Sequence, residues 1–259
     1  MKESKIYKYY AFGYNYRVLR YPSVGWSLFS GDEALKNKGF VGLLEDFFTN
    51  LEELNLQVTQ VAAAKLKETA ERVKALPKDS KLDATLCKEF SERIESVDAT
   101  LDAELNLRTA FIVTPKRIHV EHLLNSPTSL FGNQVFDVLP TVCQFDFREG
   151  CRCVAFALPT AAAFHFMRAT EGLIRELYCH VIKRKRLKTM LWHPMVEQLK
   201  NRRGNPVPKT LLDNLDNIRI NFRNPTSHPE ARYEMDEIQD LLPITIDVAN
   251  RIAKLLPKK

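Results

Sequence analysis

An arginine and a histidine stand five residues apart near the end of the chain, in the segment Arg223-Asn224-Pro225-Thr226-Ser227-His228. A guanidinium holds anions through a planar fork of N–H donors, and an imidazole exchanges a proton near neutral pH. Pro225 and Pro229 disfavour helical geometry at the residue before each, so we expect a turn between two helices here. On one continuous helix the two side chains would point about 140° apart. In a proline-bent turn they can converge, which makes the pair a candidate site.

The elements that must position this pair are predicted to be helices. Apolar residues at three- and four-residue steps predict a helix over residues 211–222, before the turn, and another over residues 238–255, after it. Residues 156–182 are apolar on nearly every side, so we expect that helix to be buried almost all round. A shorter helix covers residues 190–200. Four helices with short links predict an up-and-down four-helix bundle in a domain of residues 131–259.

A polar strip runs along the apolar helix of residues 156–182. Its members follow one another at steps of three, three and four: His165, Arg168, Glu171 and Arg175. Charges on a buried helix need partners. Packing alone therefore explains the strip poorly, although Arg168 and Glu171 can simply form an ion pair with each other.

Cations are concentrated in the second half of the chain. Residues 151–259 carry 19 Lys and Arg against 11 Asp and Glu, whereas residues 1–150 carry 19 against 21. A basic half is typical of a module that binds a polyanion. The candidate phosphate-binding residues are a run where the apolar helix should end and one arginine on a later helix: Lys183, Arg184, Lys185, Arg186 and Arg219. The alternative for the run is that it complements the dipole of the helix end.

The first 130 residues are predicted to form a separate helical region. Six of the eight tyrosines lie near its start among glycines, which predicts a short aromatic-rich hairpin or an extended arm over residues 1–39. These rings can stack on unpaired bases or pack on the helical body. A long helical hairpin is expected over residues 40–113: one or two amphipathic helices, and then a helix with one apolar stripe from Leu82 to Leu105. Prolines and a glycine place the domain boundary near residue 130.

Composition excludes several classes of protein. With 259 residues, 45% hydrophobic and 27% charged, the chain is globular and mainly α, in one or two domains. Its longest apolar stretch is about half of the roughly 20 residues that a membrane span needs. The start lacks the pattern of a secretory signal, so we expect a cytoplasmic protein that does not enter membranes. Five cysteines, with no paired zinc-site spacing, favour reduced thiols, and no metal or other cofactor is expected.

The segment from Arg223 to His228, at the entry to the last helix of a four-helix bundle, resembles the Arg-polar-x3-His signature of the HEPN superfamily. Upstream, Leu158-Pro159-Thr160-Ala161-Ala162-Ala163-Phe164-His165-Phe166-Met167-Arg168-Ala169-Thr170-Glu171 is similar to the first bundle helix of a group of uncharacterised bacterial HEPN-like proteins. Those proteins also tend to carry a preceding Phe-Gly element, as Phe131-Gly132 does here. The resemblance covers residues 131–259.

The resemblance implies a metal-independent endoribonuclease of a toxin–antitoxin, other defence or RNA-processing system. It would act as a homodimer whose two subunits form one composite cleft. Single-stranded RNA is the favoured substrate, and an antitoxin or regulatory protein would be a further partner. The ribose 2′-hydroxyl would attack the neighbouring phosphate. His228 would serve as general acid or base, Arg223 would hold the phosphate and Asn224 would orient it. Arg168 or Glu171 would pair with the site and fix its geometry.

Two alternatives to catalysis stay open at this point. The two prolines can stiffen the turn into a structural cap, in which Arg223 pairs with Glu171 and His228 bonds a carbonyl. The protein would then be a non-catalytic module that binds nucleic acid or nucleotides, or a helical scaffold that binds a protein partner through the stripe from Leu82 to Leu105.

Overall fold

Helices account for most of the chain in the computed structural model, which describes residues 5–29, 38–183, 186–226 and 232–257. This confirms the prediction of a mainly α protein. Within those residues the one β-type contact is an isolated antiparallel bridge between Ser27 and Lys81. None of the described helices is long and apolar enough to cross a bilayer. The chain divides into two compact units, Met1–Phe111 and Ile112–Lys259.

The described residues of the first unit form five helices. They are α1 (Ile6–Arg20), α2 (Gly39–Glu53), α3 (Gln57–Ala62), α4 (Ala64–Lys74) and α5 (Ala84–Asn106). The apolar stripe of α5 is buried as its spacing predicts, and Asp83 caps the helix by accepting a hydrogen bond from Leu86 N at 2.7 Å. The part of the expected hairpin before α5, predicted to hold one or two amphipathic helices, forms three, α2, α3 and α4. Asn55 in left-handed geometry, with a φ of 54°, separates α2 from α3.

The predicted aromatic hairpin or extended arm is wrong for Ile6–Arg20, because these residues form α1. Tyrosines favour strands in general, but the residues of this segment that pack inward recur at helical spacing. Phe12 and Leu19 are buried, and the Phe12 ring stacks on Phe47 of α2 at 5.8 Å. Tyr16 donates a hydrogen bond to Asp98 of α5 at 2.9 Å. Packing on α2 and α5 thus decides the structure of this segment.

The second unit begins with short elements and continues with longer helices. The short ones are α6 (Val120–Leu124), a 3-10 turn (Pro127–Leu130) and α7 (Val135–Val138). The longer ones are α8 (Thr141–Ala155), α9 (Pro159–Val181), α10 (Trp192–Lys200), α11 (Lys209–Ile218) and α13 (Met235–Leu255). Between α11 and α13 lie a π-helical turn, Arg219–Arg223, and a single short turn, α12 (Asn224–Thr226).

The division between the units lies earlier than the boundary expected near residue 130. The segment before that residue belongs to the second unit because it packs there. Leu123 of α6 is buried in the second core, and α6 packs on α8. Arg117 pairs with Asp236 and Asp240 of α13, and its backbone N–H donates to Gln239 of the same helix at 2.7 Å.

Helices α8 and α9 approach each other closely because each has a glycine at the contact. A Cβ atom on Gly150 of α8 would lie 2.7 Å from Phe166 Cδ1 of α9. A Cβ atom on Gly172 of α9 would lie 2.6 Å from Cys143 Sγ of α8. Phe166 and Cys143 are fully enclosed, so neither side chain has room to move aside.

We expect Gly150→Ala to lower the free energy of unfolding by about 1–3 kcal/mol, because the added methyl group overpacks the contact with Phe166. Alanine by itself favours a helix over glycine by about 1 kcal/mol. Gly13→Ala is the matched control, since a Cβ atom at Gly13 in α1 meets no atom within 4 Å; it should stabilise the protein or leave it unchanged. Urea unfolding followed by circular dichroism measures both, and a Gly150→Ala variant as stable as the wild type would contradict the close packing.

Candidate functional site

Arg223 lies at the end of a π-helical turn, and Asn224 follows it in helical geometry. The Asn224 N–H donates to Arg219 O, which closes the wider π ring, and Asn224 has φ −65° and ψ −50°. The expectation that Pro225 moves Asn224 out of helical geometry is therefore wrong. The restriction before proline is a preference, and here the hydrogen bond of the π turn outweighs it.

A tyrosine from the far side of the motif holds the residue that precedes Arg223. The Tyr233 hydroxyl donates to Phe222 O at 2.7 Å, and the two rings stack at 6.1 Å with an angle of 25° between their planes. Tyr233 is buried. The chain thus returns to the π turn after the motif. His228 lies outside the described residues, so the convergence of Arg223 and His228 stays a prediction.

Arg219, a predicted RNA-binding residue, is held in an ion-pair cluster within the second unit. Its Nε lies 3.1 Å from Asp216 Oδ1, and Asp216 also pairs with Lys200 of α10. Burial by itself raises the pKa of the Asp216 carboxyl, but the hydrogen bonds and charges of Lys200 and Arg219 outweigh it, and the pKa is lowered. The cluster links α10 to α11 directly before the π turn.

We expect Asp216→Asn to lower the free energy of unfolding by about 1–2 kcal/mol at pH 7. Because the folded-state pKa of Asp216 is lowered, its contribution is present above the ordinary aspartate pKa and is lost as the pH falls through the folded value. The difference from wild type should be constant between about pH 5 and 7 and shrink below about pH 4. Asp137→Asn, at an exposed position of α7 in the same unit, is the control. Urea titrations at several pH values test this, and a difference that grows on acidification would contradict it.

The cationic run contributes at least one residue to the end of α9. Arg186 donates to the carbonyls of Cys179 and Ile182 at 3.0 and 3.2 Å. The orphan carbonyls of a helix end are favoured partners for such a cation. Lys183 is exposed to solvent, and Arg184 and Lys185 lie outside the described residues. For Arg186 the structure thus supports the helix-end interpretation.

The polar strip of α9 lies at the solvent side of the helix. Burial almost all round was expected and is wrong, because the Arg168 and Arg175 side chains are 61% and 50% exposed. Arg175 Nη2 lies 2.6 Å from Glu171 Oε1. Glu171 therefore pairs along its own helix, and Arg168 pairs with a residue of α8. The alternative that Arg168 and Glu171 pair with each other is not what the structure shows.

That residue, Asp146, is the one that sequence reasoning missed. It is fully buried, and His165 Nδ1 lies 2.9 Å from its Oδ1. Because a carboxylate only accepts hydrogen bonds, the ring N–H is the donor. Arg168 Nε lies 3.4 Å from Oδ2, an oxygen with no hydrogen bond among the described residues. The sequence contained a sign of this role for Asp146. Cys143, Phe147 and Gly150 recur at helical spacing and define a buried face that includes position 146, and a carboxylate on a buried face needs partners.

The structure thus brings three side chains together: the buried carboxylate of Asp146, the imidazole of His165 that it orients, and the exposed guanidinium of Arg168. Comparison with protein-family models, curated proteins and solved structures finds no match to the chain. The chemistry of the site therefore rests on its own geometry. A carboxylate that orients a histidine through Nδ1 leaves the other ring nitrogen available for proton exchange.

Among the described residues, no three His, Cys, Asp or Glu side chains form a cluster that could hold a metal ion. All five thiols are free. Burial raises the pKa of Cys143 to about 12, and the charges of Asp146 and Glu176 add to this. Burial raises the pKa of Cys151 to about 12 as well. Burial therefore keeps both thiols protonated at neutral pH.

A double-mutant cycle tests the contact between Asp146 and His165. We expect Asp146→Asn and His165→Gln to show a coupling energy of about 1 kcal/mol, the usual size of a hydrogen bond to a charged or polar partner. Asp146→Asn with Arg175→Gln is the matched control, because Arg175 pairs with Glu171; its coupling should be near zero. Equal couplings in the two cycles would show that His165 and Asp146 do not interact.

Proposed function

We propose that the protein is a HEPN-type, metal-independent endoribonuclease whose reactive pair is Arg223 and His228. In this proposal α9, α10, α11 and α13 form the up-and-down four-helix bundle of that fold. The segment from Arg223 to His228 lies between α11 and α13. The observation that carries the proposal is the π turn that ends at Arg223. Such turns are rare, and they occur frequently at functional sites.

The two ends of the motif support convergence of the pair. Tyr233, five residues after His228, holds Phe222, directly before Arg223, by a hydrogen bond and ring stacking. The π turn and α12 also contact α9, the helix that carries the polar strip. Arg223 therefore stands on a helical framework with contacts on more than one side.

The proposed reaction needs only groups of the chain and of the substrate. A base removes the proton of the ribose 2′-hydroxyl, whose oxygen bonds to the neighbouring phosphorus, while the bond from phosphorus to the 5′-oxygen breaks and that oxygen receives a proton. His228 supplies acid or base catalysis because the ordinary pKa of an imidazole lies near neutral pH. Arg223 stabilises the charge that develops on the phosphate, and Asn224 orients it. The products are a 2′,3′-cyclic phosphate and a 5′-hydroxyl.

Homodimerisation, a composite cleft and a regulatory partner such as an antitoxin are part of the same proposal. The net charge of +8 in residues 151–259, from 19 cations and 11 anions, favours an RNA substrate. In the proposal Arg168 and Glu171 position α9 rather than touch RNA, since Arg168 pairs with Asp146 and Glu171 with Arg175.

Cleavage of single-stranded RNA in the presence of EDTA tests this function. We expect His228→Ala and Arg223→Ala each to lower the rate at least about 100-fold, as loss of a proton-transfer or charge-stabilising group does. His180→Ala and Arg251→Ala, at exposed positions of α9 and α13, are the matched controls and should keep wild-type activity. All four variants should melt within a few degrees of the wild type.

Analysis of the fragment ends should find cyclic phosphates, and a deoxyribose at the scissile position should prevent cleavage. An inert wild-type protein, or full activity of the Arg223 and His228 variants, would exclude the ribonuclease. RNA binding without cleavage would favour the non-catalytic binding module.

A further inference from the structure

Tyrosine side chains cover the solvent side of α1. Tyr7, Tyr10 and Tyr14 are 73%, 66% and 62% exposed, and Tyr21, directly after the helix, is 64% exposed. With 3.6 residues per turn, these four residues and Arg17 lie within about 80° of one another around the helix axis. Phe12 and Leu19 lie on the opposite side and are buried. We name Tyr7, Tyr10, Tyr14, Arg17 and Tyr21 the tyrosine face.

The rings of the tyrosine face contribute little to the core of the unit, although an aromatic ring normally stabilises a fold by its burial. The Tyr7 and Tyr10 rings lie next to each other, with 5.9 Å between their centroids. From Tyr7 to Tyr14 the row extends about 10 Å along the helix. A contiguous exposed row of this kind marks an interaction surface.

Charge indicates what this surface binds. The helix α1 contains Lys8, Arg17 and Arg20 and no acidic residue, and residues 1–29 carry five Lys and Arg against one Glu. Lys8 and Arg20 pair with Glu53 and Asp98. Among the described residues, the side chains of Lys5 and Arg17 have no acidic partner. The net positive charge is complementary to a polyanion.

A cavity of about 840 Å³ adjoins the N-terminal end of this surface. It lies between the start of α1 and the ends of α2 and α5, and its walls include Lys5, Tyr7, Tyr9, Leu54 and Arg108. Cavities that hold small ligands have volumes of about 300–1,000 Å³. Its walls also include Lys8 and Glu53, which pair with each other. The cavity thus combines two aromatic rings with two further cations, Lys5 and Arg108, which suits a nucleotide.

We propose that the tyrosine face and this cavity bind single-stranded RNA. The rings stack on unpaired bases, and Lys5 and Arg17 contact phosphates. Stacking platforms combined with cations are how proteins hold single strands without reading their sequence. The choice of RNA as the strand rests on the ribonuclease function proposed above, whereas the recognition of unpaired bases rests on α1 alone.

Fluorescence anisotropy with a labelled 20-nucleotide oligouridylate tests the surface. Its riboses are 2′-O-methylated, so binding is measured in the full chain without cleavage. We expect Tyr7→Ala combined with Tyr10→Ala to raise Kd at least about tenfold, and Tyr7→Phe combined with Tyr10→Phe to leave Kd within about twofold, because phenylalanine keeps the stacking ring. Arg17→Glu should raise Kd and reduce the slope of log Kd against log salt by about one. Lys65→Glu, at an exposed position of α4, is the charge control and should change neither.

The outcomes separate this surface from the ribonuclease. An unchanged Kd in the alanine double variant, with wild-type helix content by circular dichroism, overturns the RNA-binding surface even if the wild type cleaves RNA. Tyrosine-dependent binding by a protein that does not cleave supports the surface while it excludes the ribonuclease. Binding that is lost equally in the phenylalanine and alanine variants overturns the stacking mechanism.

Discussion

The close approach of α8 and α9 is the constraint on which the second unit depends. Two glycines, one on each helix, leave room for Phe166 and Cys143 against the opposite backbone. At this distance a carboxylate on α8, Asp146, is enclosed completely and reaches two polar residues at the edge of α9. The other sides of α9 pack on α10 and α13 and contact the π turn. A shift of α9 relative to α8 would therefore also change the support beneath Arg223.

Local pairing, rather than net charge, decides which cations of the second unit are available to a ligand. Arg186 donates to the last carbonyls of α9, and Arg219 shares Asp216 with Lys200. Both were expected to contact RNA because they belong to a basic half of the chain. Each instead completes a helix end or links two helices. The charge count identified a basic region but could not show which of its members already have partners.

Sequence periodicity was informative where one face of a helix packs on one core. The stripe of α5 and the course of α9 follow from apolar residues at steps of three and four, and both are found. Periodicity did not predict α1, because this helix carries aromatic rings on both its buried and its exposed face. The helical spacing of the buried residues, Phe12 and Leu19, is therefore not distinguishable in the sequence from the exposed tyrosines around them. Of the candidate site, the sequence indicated Arg223 and Asn224 but neither the π turn nor Asp146. A π turn adds one residue to a turn without changing composition, and the importance of Asp146 arises only from a second helix that packs beside it.

The π turn and the Tyr233 contact have different consequences for the two members of the proposed reactive pair. Phe222 and Tyr233 are joined, and the Asp216 cluster holds the start of the same turn. Arg223 directly follows one of these fixed points, so its backbone would lose little freedom on binding the phosphate of the proposed substrate, and a preorganised cation stabilises developing charge most effectively. His228 lies midway in sequence between Arg223 and Tyr233, five residues from each. Pro225 lies between Arg223 and His228, and Pro229 directly follows His228. In the proposed mechanism, the framework of the second unit places the phosphate and His228 supplies the proton transfer.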